Sequence, residues 1–321
     1  MNIEQNQFIP LIAYKFSPEE NDLVDELLGK PVRRIFLIDE DKYSDLEKEK
    51  LTEMKEYLKS INYVLPESYT NQDMLRQLQG NDYDIKVTFD NIKKEVEWKA
   101  ENLPIQLTDS ITKILNTGFI YAHGRDNRYR PILVLNPGKY DKNLFPFQTW
   151  QLASVYFIEF LLNNYLIPGK IENWNIIVDC QELSITNIPW DLKNVFSGIK
   201  GVYRCRLFKL FLLNLSPIFV FAWNIAKTLI GPTVEAKATK VNNDEGKYNN
   251  LFKNINRNQI EKKYGGEAEN LEPGNYFPET FYYPNYYSQN DRNDNKFMCN
   301  TEIDYFVENE EIFYEAISEE E

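Results

Sequence analysis

The sequence predicts an α/β domain built on a mixed, mainly parallel sheet flanked by helices, preceded by an α-helical subdomain. Three observations carry this. Helix-like periodicity dominates residues 44–101, before any clear strand. From Gly118 onward, short apolar strands alternate with helical stretches, the order of parallel sheets with right-handed crossovers. The segment 174–178 (WNIIV) is an almost unbroken apolar run, expected of a strand covered on both faces.

Residues 1–41 form an N-terminal extension without a firm assignment; 19–28 (EENDLVDELL) reads as a helix ended at Gly29, followed by an apolar piece at 33–38. The helical subdomain is placed at 42–102. Within 44–61, Leu46, Leu51, Met54, Tyr57 and Leu58 recur at near-helical spacing, with Ser44 as N-cap. Residues 71–78 and 85–101 give two further helices. The second has Val87, Phe89, Ile92, Val96 and Trp98 along or near one stripe.

The main domain is placed at 103–268. FIYAH (119–123) and ILVL (132–135), joined by GRDNRYRP, read as a hairpin or two neighbouring strands. A long helix at 145–166 follows, then the strand 174–178 and a helix at about 190–202. A strand at 207–213, a helix at 218–230, a short strand in KATKV and a helix at 248–263 ending at Gly265-Gly266 complete the order. The tail, 269–321, is aromatic and then acidic, and is expected to be partly disordered.

One feature stands apart. Residues 210–226 contain no charge and lie between Lys209 and Lys227. Seventeen residues sit at the low edge of a membrane span, and Asn-Leu-Ser-Pro at 214–217 divides the run into strand and helix. A helix this apolar in a soluble protein requires a large apolar partner.

Charge is unevenly distributed. Residues 271–321 hold 13 acids against Arg292 and Lys296, so the first 270 residues carry only −2 of the net −13. Neither a strongly basic domain nor a reader motif is present, and nucleic acid is not expected as a partner. Three scattered cysteines (Cys180, Cys205, Cys299) suit a reducing compartment, and no apolar leader follows Met1, so a cytoplasmic location is expected.

Catalytic signatures are missing: there is no Walker A, GxGxxG or GxSxG segment. The single histidine, His123, reads as a structural residue at a strand end, and Asp179 as a cap or turn acceptor. Cys205 between Arg204 and Arg206 lacks an evident base partner. No enzyme activity, catalytic residue, metal or cofactor is expected. The basic cluster Lys200, Arg204, Arg206 and Lys209, with Lys227 and Lys237 beyond it, is compatible with a solvated helix end or with phosphate.

At this point six segments in order resemble the CRAL-TRIO (Sec14-like) lipid-transfer family. MLRQLQGNDYDI (74–85) followed by Trp98 is similar to the helical subdomain's LLRFLRAxxFD and its Trp. GRDNRYRPILVLNPGKYD (124–141) resembles GRDxxGRPV and the strand after it. IIVDCQELS (176–184) resembles the family's apolar strand ending in Asp. YRCRLFKLFLLNLSP (203–217) is similar to YPERxxxxxxxNxP with one extra residue before the Pro. GPTVEAK (231–237) matches the segment after the gate, and QIEKKYGG (259–266) resembles LPxEYGG. The resemblance is collinear over about 44–268.

The resemblance implies a hydrophobic pocket floored by the sheet and closed by a gate helix at 218–230, carrying Ile218, Phe221, Ala222 and Ile225. It implies a lipid ligand, lined by Phe119, Tyr121, Ile132, Val134, Trp174, Ile176, Tyr203, Arg206, Phe211, Leu213, Phe219, Trp223 and Lys237. It further implies a monomer, peripherally and transiently associated with a membrane surface, that binds a phospholipid or other hydrophobic ligand and transfers or presents it. In phosphatidylinositol binders of the family, the Glu of YPER and the Lys matching Lys237 hold the headgroup. Here the Pro and Glu are Arg204 and Cys205, and only the Lys is kept. Positions carrying Ser and Thr in phosphatidylcholine binders align with Trp174 and Ile176. The competing expectation is a lipid-sensing module without transfer, whose tail docks a partner.

Overall fold

The computed structural model describes residues 8–183, 201–215, 223, 231–241 and 249–276. The chain enters through α1 (Leu11–Lys15) and α2 (Glu20–Leu23), then a hairpin of β1 (Val24–Leu27) and β2 (Lys30–Arg33). The expected helix at 19–28 is therefore one helical turn followed by a strand. Leu28 and Gly29 both take left-handed φ, 55° and 73°, the pairing a tight two-residue hairpin turn requires, so Gly29 turns a hairpin here. One helical turn alone has too few hydrogen bonds to propagate against that turn. The hairpin is clamped to the next subdomain by Arg33, whose Nε and Nη2 donate to Glu47 at 2.6 and 2.7 Å, both side chains buried.

The helical subdomain forms as expected: α3 (Asp45–Ser60), α4 (Asn71–Gly80) and α5 (Ile85–Asn102). Ser44 and Thr70 each close a capping box with the acid three residues on, and Asp84 caps α5 through Val87 N. Leu51, Met54 and Leu58 meet Met74, Leu75, Leu78 and Ile92 in a core of their own.

Beyond α6 (Asp109–Leu115), the sheet contains β3 (Ile120–Arg125), β4 (Pro131–Leu135), β5 (Trp174–Asp179), β6 (Leu207–Leu213) and β7 (Ala238–Lys240), side by side in sequence order. The β3–β4 pair is antiparallel and the other three pairings are parallel, so the sheet is mixed and mainly parallel. Helix α7 (Phe147–Asn164) carries the chain from β4 to β5, and α8 (Pro232–Glu235) precedes β7. The helices expected at 190–202 and 218–230 fall almost wholly outside the described residues; 201 and 202 form a turn, and Trp223 is helical.

The expected single helix at 248–263 is instead a strap of short pieces: α9 (Asn249–Phe252) and 3₁₀ turns at Arg257–Gln259 and Lys262–Tyr264. Its polar groups serve the sheet and not a helical ladder. Gln259 O lies 3.1 Å from His123 Nδ1, Gln259 Oε1 accepts from Arg125 N at 3.0 Å, and Tyr121 donates its hydroxyl to buried Glu261 at 2.6 Å. The contact at β3 is so close that Gly124 has no room for a side chain: its φ is 68° and an added Cβ would stand 2.1 Å from Gln259 O. Gly124→Ala should lower stability by about 2–4 kcal/mol in urea unfolding, combining left-handed strain with overpacking. A loss under about 1 kcal/mol would mean the strap moves aside easily.

The register sorts side chains onto two faces. Tyr121, Val134, Ile177, Phe211 and Thr239 form one row across all five strands. The adjacent row is Ala122, Leu133, Ile176, Leu210 and Ala238, and alternation puts it on the opposite face. Tyr121, Val134, Ile177 and Phe211 of the first row belong to the main core, with Leu251, Ile255, Ile260 and Tyr264 of the strap; on β3 and β4 the second row, Ala122 and Leu133, joins it too.

Candidate functional site

The second face of β5–β7 is built differently. β5 is the middle strand, yet its two sides differ at mid-strand: Asn175 and Ile177 are 1% and 0% exposed, whereas Ile176 and Val178, between buried Trp174 and Cys180, are half-buried. Around them lie Leu210, Leu212 and Cys180, flanked by Leu183, Leu207, Leu215, Ala238 and helical Trp223. The result is an apolar trough on a central strand, where a fold ordinarily closes its core.

A cluster of buried charge stands at the end of the sheet where β6 and β7 begin. Glu172 receives Arg76 Nη2 at 2.8 Å, Phe36 N at 2.8 Å and Gly169 N at 3.1 Å, tying the helical subdomain and the N-terminal extension to the loop before β5. Arg76 also pairs with Asp73 at 2.8 Å. Arg206 donates to the backbone O of Glu172 at 3.1 Å, and Lys237 Nζ to Leu207 O at 2.7 Å. Among the described residues, Arg206 and Lys237 make no ion pair.

Burial, with the Arg76 guanidinium beside it, pushes Arg206 down to about 10. Burial, helped by Arg34, pushes Lys237 from 10.5 down to about 8. Two desolvated cations without a carboxylate are costly unless an anion joins them. Lys237 also leads into Ala238, and its carbonyl accepts from Leu210 N at 3.0 Å, so the cations border the trough. An apolar groove with unbalanced positive charge at its edge matches an amphiphile with an anionic head.

Of the sequence-predicted lining residues, Ile176 and Trp223 line the trough, and Arg206 and Lys237 border it. Trp174 is buried at the start of β5, opposite Leu207. Tyr121, Ile132, Val134, Phe211 and Leu213 stand on the opposite face, within the main core that includes the strap. Phe119 packs edge-on against Trp150, 5.0 Å between centroids. Tyr203 donates its hydroxyl to Glu159 of α7 at 2.6 Å and meets Trp98 edge-on. Ile218, Phe219, Phe221, Ala222 and Ile225 lie outside the described residues.

Sequence reading missed Val178, Leu210, Leu212 and Ala238, because in an unbroken apolar strand both alternating sets qualify. Glu172 gave no signal beyond an isolated acid ahead of a strand. The structure also divides the basic cluster: Arg204 donates to Gly80 O at the end of α4, and Lys209 stands on the strap face beside Asn175, while Lys200 is outside the described residues. Cys205, at φ 60°, accepts from Gln79 Nε2 at 3.3 Å.

The candidate reactive residues have structural partners. His123 is fully enclosed, and burial holds its pKa below the ordinary imidazole range. Asp179 accepts from Asn214 Nδ2 at 2.7 Å, Gln181 N at 2.9 Å and the Tyr264 hydroxyl at 3.0 Å, the turn role expected of it. Burial pushes the Cys180 thiol up to about 12. Among the described residues, no cluster of His, Cys, Asp and Glu could hold a metal ion, and no helix is long and apolar enough to cross a membrane.

Residues 115–266 match the CRAL/TRIO domain family. Thirty-nine solved chains match this one in structure. Among them is the crystal structure of Sfh5, 14% identical, with a TM-score of 0.55 over 73% of this chain and 91% of that one; at such identity the likeness shows the fold. No curated protein matches the chain. Residues 115–266 are thus similar to the CRAL/TRIO domain, and the likeness in structure is one of fold, a mixed, mainly parallel sheet flanked by helices.

Proposed function

We propose that this CRAL/TRIO-domain chain binds an anionic phospholipid, acyl chains over the trough and headgroup at Arg206 and Lys237, and transfers or presents it at a membrane. The observation that carries the reading is the half-buried side of β5 beside two half-buried cations that make no ion pair among the described residues. Sheltering an acyl chain of about sixteen carbons is worth on the order of 10 kcal/mol at ~0.8 kcal/mol per methylene. The helix expected at 218–230, uncharged but for Lys227, is the segment that would close over such a chain and open at a bilayer surface.

The head chemistry is that of a phosphate. A phosphoinositide fits this reading through Lys237, while the acid that family members use beside it is Cys205 here. Ile176 and Trp174 offer no hydroxyl to a choline headgroup, so phosphatidylcholine is disfavoured.

Native mass spectrometry and lipid extraction of the purified protein test the reading. An anionic phospholipid should co-purify. Absence of any bound lipid, with no transfer between vesicles, would overturn it. Bound lipid without transfer would favour the sensing role.

The depressed Lys237 adds a pH signature with two opposite signs. Between about pH 8 and 10.5 the folded lysine has lost its proton while the unfolded one keeps it. The unfolded state then binds more protons, so stability of the lipid-free protein should rise with pH across this window. Affinity for the anionic lipid should fall over the same window, because the headgroup loses its ammonium partner. Lys237→Met should flatten both profiles, and parallel profiles for variant and parent would count against Lys237 as the headgroup contact.

A further inference from the structure

A cleft of ≈ 670 Å³ opens away from the trough. It is walled by the β1–β2 hairpin (Asp25, Arg34), the β3–β4 turn (Asp126, Arg128, Arg130) and the bulged start of β6 (Phe208, Lys209). Its size lies in the range of small-molecule sites.

The charges lining it can be paired off one by one. Arg128 meets Asp22 at 2.8 Å, Arg34 meets Asp25 at 3.0 Å, and Arg130 meets Asp126 at 3.2 Å. Asp126 is occupied further: it accepts the backbone N–H of Arg128 and Arg130 and the Asn175 amide. That leaves Lys209, half-buried, with no carboxylate partner among the described residues. Burial, with the cations Lys253 and Arg130 near it, holds its pKa below the ordinary lysine range, against the opposing pull of Asp126 and Asp25.

A second observation points the same way. Arg34 is 4% exposed, and its buried Nε has no hydrogen-bond partner. The Phe208 ring gathers three cations: Arg130 Cζ lies 3.8 Å from its centroid, Lys209 Nζ 5.3 Å and Arg34 Cζ 5.5 Å. The ring holds like charges together that would otherwise disperse.

We propose that this cleft is a second binding site, for a phosphate-bearing polar molecule held by Lys209 with Arg34 and Arg130. Guanidinium forks match phosphate oxygens, and the unmatched ammonium supplies the charge that the three internal pairs do not. The site stands independently of the lipid reading, since its lining residues are not those of the trough. A free phosphate ester and the exposed headgroup of a membrane lipid share this chemistry.

Calorimetry on the full chain separates the sources, using glycerol 3-phosphate as one probe and phosphatidylcholine vesicles doped with phosphatidic acid as the other. Saturable binding of either probe is expected, weakened at least about tenfold in Lys209→Gln and restored in Lys209→Arg. Glycerol 3-phosphate binding assigns a free ester; binding of vesicles alone assigns a headgroup. The proposal is overturned if neither probe binds, or if Lys209→Gln, shown folded by circular dichroism, binds both as the parent does.

Discussion

Replacing Glu172 with alanine should lower the unfolding free energy by about 3–5 kcal/mol, the cost of leaving a buried charge without its partner. Glu172 is 3% exposed and accepts from Arg76, from Phe36 N and from Gly169 N. Its loss strands the Arg76 guanidinium, already beside Arg206, and orphans a buried backbone N–H. The same carboxylate joins three parts of the chain, so the helical subdomain should loosen from the sheet as stability falls. A urea titration reads the first effect through its midpoint and the second through a shallower or split transition. The control is Arg76→Met with Glu172→Leu. Removing both charges together should recover the part of the loss owed to the stranded guanidinium, while Phe36 N stays without its acceptor. A single substitution costing less than about 1 kcal/mol would show that water reaches the cluster.

The second large effect concerns the trough. Ile176→Asp should yield a folded protein that purifies without lipid and transfers none. The side chain is half-buried on the open side of β5, so in the lipid-free protein water reaches the new carboxylate. Under an acyl chain that carboxylate would be desolvated, at a cost of several kcal/mol, and affinity should fall by about 100-fold or more. Val134→Asp is the matching control. It lies on the opposite face at 1% exposure, and there the same charge should unfold the domain. If both variants fold and both retain lipid, the trough is not where the acyl chain rests. If Val134→Asp folds but loses lipid while Ile176→Asp keeps it, the ligand sits on the strap face.

That pair of substitutions also marks how far the sequence could be read. The three helices of the N-terminal subdomain were legible from their apolar spacing, with Ser44 marking the first; the structure adds that Thr70 and Asp84 cap the other two. The strand at 207–213 was legible because apolar content and the Asn-Leu-Ser-Pro break both act over a few residues. The errors fell where a distant partner outweighed the local pattern. Gly29 closes a hairpin because β2 can pair back on β1 and Arg33 reaches Glu47. Residues 248–263 abandon a helix because Gln259 and Glu261 find His123, Arg125 and Tyr121 on the sheet.

By itself, then, the sequence determined the class of fold and the order of the subdomain helices and of the five sheet strands, which rest on periodicity and short-range bonds. The sign of the charge was also visible in the lysines and arginines around the apolar run. Only the tertiary structure decided which side of β5 is less buried, that Leu210 and Leu212 face the trough while Phe211 and Leu213 belong to the opposite face, and that Arg206 and Lys237 are half-buried with no ion pair among the described residues. The reason is physical. In a strand apolar on both faces, side-chain type does not distinguish the faces, and the choice passes to whichever segment of chain packs against each.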